Sequence, residues 1–334
     1  MENIKAGKNN LQPDFTDGYI GTYFSEGSRG IYHFTFNEAN GEMTQPELFF
    51  EARDAKWVSL YGNWMTFPIQ EGDSAGICFA RLLNGRIVQT HKILEERYTP
   101  CFVAQEDELV FTANYHEGTV MIYRVETGKP SVAGRIENGE KAGCHQILFH
   151  KSYFLVPCLE QNRIRIFHKS NGFRPAGEIS FPEGTGPRHG VFNSAHTKFY
   201  VVGEWSNELF IYDVNGLDFR LVQSLYLLPE RNSNAAAAAV RLTEDERFLY
   251  VSVRGVDLLV TVDVSSDRAS VTGRVSSGGI HPRDFILSRN ERFLLTVNRK
   301  EGGIVCMERN RENGEIEKII SHVQLPEGVS LLLA

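Results

Sequence analysis

Four arginines, two histidines, two glutamates and two asparagines occupy matching places in a recurring unit of this chain of 334 residues. Cys144-His145, Arg188-His189 and Arg283-Asp284 each open a short strand-like run, as do Pro100-Cys101 and Ala238-Ala239. Asn114-Tyr115, Glu160, Glu204-Trp205, Arg254 and Asn298-Arg299 each close the run that comes next. A guanidinium presents a rigid fork of donors that matches a carboxylate or a phosphate. Arg188, Arg254, Arg283 and Arg299, with His145, His189, Glu204 and Asn114 among them, therefore predict a pocket for an anionic small molecule. A lone loop arginine usually serves a surface ion pair worth little. A set at matching places in neighbouring units points instead to a shared site.

A repeat defines those places. Alternating runs begin at Ile31, Ile77, Val120, Ile164, Leu209, Leu259 and Ile304, and successive starts lie 46, 43, 44, 45, 50 and 45 residues apart. Apolar and polar positions alternate within them, the period-2 signature of a strand with two unequal faces. Two further strand candidates precede most runs, such as CFVAQ from Cys101 and LVFTANY from Leu109. Acidic, turn-forming stretches at 243–246 and 288–291 separate them. A weaker fourth strand follows, for example AGRIE from Ala133. Four strands per unit of about 40–50 residues fit the blade of a propeller. The prediction is an all-β, seven-bladed β-propeller spanning residues 1–334 as one domain, with a polar extension over about residues 1–17.

Inner and second strands of a blade run antiparallel, so the two sets of places open on one face of the disc. Nothing before Tyr19 reads as an inner strand, whereas VSLLLA from Val329 does. The C-terminal strand is therefore expected to complete the first blade and remove an exposed edge. The five alanines from Ala235 to Ala239 predict a tight segment between blades. WD dipeptides with their GH partners are missing, and no helical pattern follows each strand as a TIM barrel requires.

A net charge of −7 argues against a general nucleic-acid surface. Five cysteines without a C-x-x-C predict reduced, buried thiols, neither a disulfide framework nor a zinc site. No apolar run suits a signal peptide or a membrane span, so a cytoplasmic location is expected. GTGPRHG at 184–190 precedes a strand and no helix follows, so it fails the context of a dinucleotide loop. His145 and His150 are five apart, an odd offset that points them to opposite faces of a strand and excludes a shared metal.

The segments TPCFVAQ, LVFTANYHEGTVMIY, GTGPRHGVF, KFYVVGEWSNELFIYDV, RFLYVSVRG and GGIHPRDFILSRNERFLLTVN resemble the lactonase family of seven-bladed propellers. That family includes propeller-type 6-phosphogluconolactonases and fungal carboxy-muconate lactonizing enzymes. The resemblance runs from GYIGTY at 18–23 to the C-terminal strand and is weakest at KWVSLYGNWMTFPI from Lys56, assigned to the first blade. By motif it implies active-site roles for His145, Arg188, Glu204 and Arg254, and an enzyme that needs neither metal nor other cofactor. Family members often carry polar residues where this chain has Gly143, Ala239 and, nearby, Cys158, and each departure would remove a polar group from the pocket.

The resemblance implies hydrolysis of a sugar-phosphate lactone such as 6-phosphogluconolactone. Such a reaction needs a base for water and donors for an oxyanion. His145 or Glu204 would be the base, and Arg188 and Arg254 would bind phosphate or the oxyanion. Arg283, His189, Asn114 and Arg299 would contact the substrate. One alternative is a muconate-type cycloisomerase, with the arginines on carboxylates. Another is a non-catalytic propeller that binds a ligand or partner.

Overall fold

Each of the seven alternating runs forms the third strand of a four-stranded antiparallel sheet. The structure, a computed structural model, describes residues 14–334. The blades follow one another around a ring, and their inner strands touch in sequence: Pro187–Phe192 meets Ala236–Leu242, which meets Ile280–Leu287, which meets Gly328–Leu333. Ring position explains the burial. The second strand of blade 6, Phe248–Arg254, is buried at every residue because a neighbouring blade covers each face. Outermost strands keep a wet side, as in Ser270–Ser276, where exposed and half-buried residues alternate. The apolar clusters lie between blades: Val202 and Leu209 of blade 5 meet Val240, Val251 and Val260 of blade 6.

The C-terminal strand is innermost in blade 1, beside Phe15–Thr22, Gly30–Asn37 and Glu47–Glu51. Tyr19 faces Leu332, Ile20 faces Leu331, and the Ala334 amide donates to Asp17 O at 2.8 Å. The first strand thus begins at Phe15, inside the segment expected to be an extension; residues 1–13 lie outside the described residues. Asp284 ties the closure. Its buried carboxylate accepts from Arg241 Nη2 at 2.7 Å and from the Leu331 amide at 3.2 Å, joining the inner strands of blades 6, 7 and 1.

Two expectations need correction. The alanine run is the inner strand of blade 6, Ala236–Leu242, rather than a segment between blades. KWVSLYGNWMTFPI belongs to blade 2, whose inner strand is cut to Ser59–Tyr61 by a hairpin with Gly62 at φ +56°. No helix of the described residues is long and apolar enough to cross a membrane.

Candidate active site

The inner strands of blades 5, 6 and 7 each carry a bulge near their start. Pairing jumps from Pro187 to His189, from Ala237 to Val240 and from Pro282 to Asp284. The extra residues are Arg188, Ala238-Ala239 and Arg283. A bulge leaves its extra residue out of the ladder and re-aims the side chain, so the strand register itself turns Arg188 and Arg283 toward the axis. The alanine bulge frees carbonyls instead. Arg188 Nη1 donates to Ala238 O at 2.7 Å, and Arg254 donates from Nε to Ala236 O at 3.2 Å and from Nη2 to Ala237 O at 3.4 Å.

Glu204 joins the two arginines. Its Oε2 lies 2.8 Å from Arg188 Nε and 2.7 Å from Arg254 Nη2. The Arg188 Nε–H does not point along its contact, which is ionic rather than a well-aligned hydrogen bond. Burial alone would raise the Glu204 carboxyl, but Arg254 and Arg188 outweigh it and hold it below the ordinary glutamate range. Arg188 is brought down to about 9, by burial first and by repulsion from Arg254 second, and so stays cationic near neutral pH.

His145 lies at the matching place in blade 4, with its amide on Pro157 O at 3.0 Å. Its Nδ1 is 3.2 Å from His189 Nε2, so one ring donates to the other. Both rings are held well below the ordinary histidine value, by burial first and by Arg188 next, and are neutral at physiological pH. Trp57 and Phe102 wall in His189, with ring centroids at 6.0 and 5.8 Å.

His145, Arg188 and Arg283 line one narrow cavity, which has free space for about one water. A larger cleft along Trp64, Arg81 and Asp107 lies between blades 2 and 3, and its charged groups face solvent. The remaining predicted residues fall outside the cavity wall. Arg254 stands behind Glu204, and His189 behind His145. Asn114 is structural: its amide donates to Glu96 Oε1 at 2.9 Å and Tyr98 O at 2.7 Å, while Oδ1 caps the amides of His116 and Glu117. Arg299 pairs with Glu327 at 2.7 Å and covers the Tyr23 ring at 4.5 Å.

The three departures from the family pattern also find their places. Ala239 packs into the core between blades 6 and 7 with Phe248 and Phe285, so it takes nothing from the pocket. Cys158 is buried opposite Cys144, behind His145. Gly143 has φ +68° and lies against the Glu160 amide, a position that resists any side chain.

Lys56, Trp57 and Tyr23 line the same cavity and carried no role in the sequence reading. Tyr23 follows the second strand of blade 1, the place Glu204 takes in blade 5, so the repeat could have found it. Lys56 precedes the shortened inner strand of blade 2, where the repeat is hardest to see. Cys101 also faces the cavity, but its thiol donates to the Cys144 carbonyl at 3.3 Å and burial raises its pKa, which makes it a poor nucleophile.

This seven-bladed ring with its bulge-borne arginines matches the family model for lactonases described as "Lactonase, 7-bladed beta-propeller" over residues 17–333. The chain belongs to that family. It is 30% identical to a 6-phosphogluconolactonase of Bacillus subtilis over 92% of this chain and 95% of that one. An uncharacterized Staphylococcus saprophyticus protein is 27% identical over 94% and 98% of the two chains. Among solved structures, a Lactobacillus plantarum protein superposes with a TM-score of 0.89 at 23% identity, covering 96% of this chain and 99% of that one. A periplasmic gluconolactonase of Pseudomonas aeruginosa superposes with a TM-score of 0.86 at 20% identity over 96% and 99%. At those identities the two structures speak to the fold.

Proposed function

We propose that this lactonase hydrolyses an anionic sugar lactone, with 6-phosphogluconolactone as its substrate, in the cytoplasm. The observation that carries the reading is a neutral imidazole, His145, sharing a cavity with Arg188 and Arg283. Water attacks the lactone carbonyl carbon and gives its proton to His145 Nε2. That role requires His145 to hold its other proton on Nδ1 and donate it to His189 Nε2. Arg188, with Nη1 tied to Ala238 O and Nε against Glu204, offers its remaining end to the oxyanion. Collapse of the adduct breaks the ring C–O bond, the proton passes to the leaving alkoxide, and an open-chain hydroxy acid is released. Glu204 is a positioning residue here, since two guanidiniums lower its basicity. The Bacillus subtilis relative favours the phosphorylated lactone over the muconate alternative. The unbridged cysteines fit a reducing compartment. The test is turnover of freshly generated 6-phosphogluconolactone, corrected for spontaneous hydrolysis; a rate no faster than that background overturns the reading.

A further inference from the structure

Lys56 is an anomaly in the cavity. It is 8% exposed, lines the wall, and enters no ion pair or hydrogen bond among the described residues. Its ammonium has no counter-charge beside it, and a charge drawn partly out of water is held best when it is paired. Its one evident compensation is the Tyr23 ring, whose centroid is 5.5 Å from Nζ. Arg283 shares that ring, with Cζ at 5.5 Å from the same centroid, and likewise pairs with no carboxylate among the described residues. Arg299, by contrast, is matched by Glu327, and Arg188 and Arg254 are matched by Glu204. The cations in and around the cavity are therefore of two kinds. One kind already faces a carboxylate that orients it, and the other waits for an anion that the protein does not supply.

We propose that Lys56 and Arg283, gathered around Tyr23, form a phosphate subsite that selects phosphorylated over unphosphorylated sugar lactones. This rests on the lactonase reading of the same site and adds to the two arginines that share Glu204 a further pair of cations with no carboxylate between them. A phosphate monoester carries close to two charges near neutral pH, which two unpaired cations balance. Arg283 offers a fork and Lys56 a point charge, and a phosphate accepts both. Because the cavity itself has room for about one water, the sugar ring must lie over its opening, with the lactone carbonyl toward His145 and Arg188.

Binding of the stable products tests this without requiring turnover. Calorimetry with 6-phosphogluconate and with gluconate would compare the wild type, Lys56→Met and Arg283→Met, each first shown to melt cooperatively; Lys56→Arg supplies a charge-retaining control. Loss of one charged hydrogen-bond partner should weaken 6-phosphogluconate roughly tenfold or more, leave gluconate within about twofold, and be partly restored in Lys56→Arg. Equal weakening of both ligands would overturn the subsite, because the cations would then serve the carboxylate end. Unchanged binding of 6-phosphogluconate would overturn it too. Selective phosphate binding in a protein that fails to hydrolyse the lactone would keep the subsite and remove only the proposed reaction.

Discussion

His145 Nδ1 and His189 Nε2 lie 3.2 Å apart, and both rings are buried. Replacing His145 by Ala should lower kcat roughly 100- to 10,000-fold, the usual contribution of a general base. His189→Phe keeps the ring volume and removes the acceptor. It should lower kcat by a smaller factor with KM little changed, because His189 acts only by orienting its neighbour. Steady-state kinetics on the two variants checks this, and a His189→Phe enzyme with full kcat would dissolve the pair's role.

The pH dependence of kcat should lack the acid limb near 6.5 that an ordinary histidine base produces. His145 is held well below that value by burial and then by Arg188, so the neutral form persists into mild acid. Activity should stay level from pH 7.5 down past pH 6. A half-maximal rate near pH 6.5 would show that another group is the base.

Stability should follow the opposite course. In the native state His145 and His189 are neutral, whereas in the unfolded chain they bind protons below about pH 6.5. Their contribution is complete above that pH and is lost as pH falls below it. The limiting slope for two such groups is about 3 kcal/mol per pH unit. Glu204, whose folded value is depressed, adds its own loss only further into acid. Urea midpoints that did not fall between pH 7 and pH 5 would contradict the burial of both rings.

Glu204→Gln separates a positioning residue from a base. If the carboxylate chiefly holds Arg188 and Arg254, its loss leaves two buried guanidiniums uncompensated and should cost about 3 kcal/mol of stability. Turnover should fall as Arg188 loses its orientation. A variant with unchanged melting and a rate loss as large as that of His145→Ala would return the base role to Glu204.

Deleting Val329 to Ala334 should strip blade 1 of its inner strand and leave Asp284 with one partner fewer. The truncated chain should melt far below the full one or aggregate through the open edge. Equal melting temperatures would show that the closure contributes little.

Blade number, strand order and closure were legible because each rests on a repeat with apolar residues in fixed phase. The placement of Arg188 and Arg283 was legible for a related reason: both stand at the bulge that recurs in successive inner strands. Side-chain partners were not. Asn114 shares the matching place with Glu204, yet nothing local in the sequence shows Glu96 and the Tyr98 carbonyl waiting beneath it. Ala239 read as a missing carboxylate because register alone could not tell cavity from inter-blade core. Lys56 escaped because the Gly62 hairpin shortens its strand and breaks the phase that revealed the others.

The strand that completes blade 1 is also the last of the ring's strands to be synthesised. Until Gly328 and its successors emerge, Phe15–Thr22 has backbone donors and acceptors facing the axis with no partner. At about 5–20 residues per second, that edge waits roughly 15–60 s. Six blades can stack as they are synthesised, but the nascent ring stays an open arc with one adhesive margin throughout. A cell making this protein therefore faces its greatest hazard of strand exchange between neighbouring chains on one polysome.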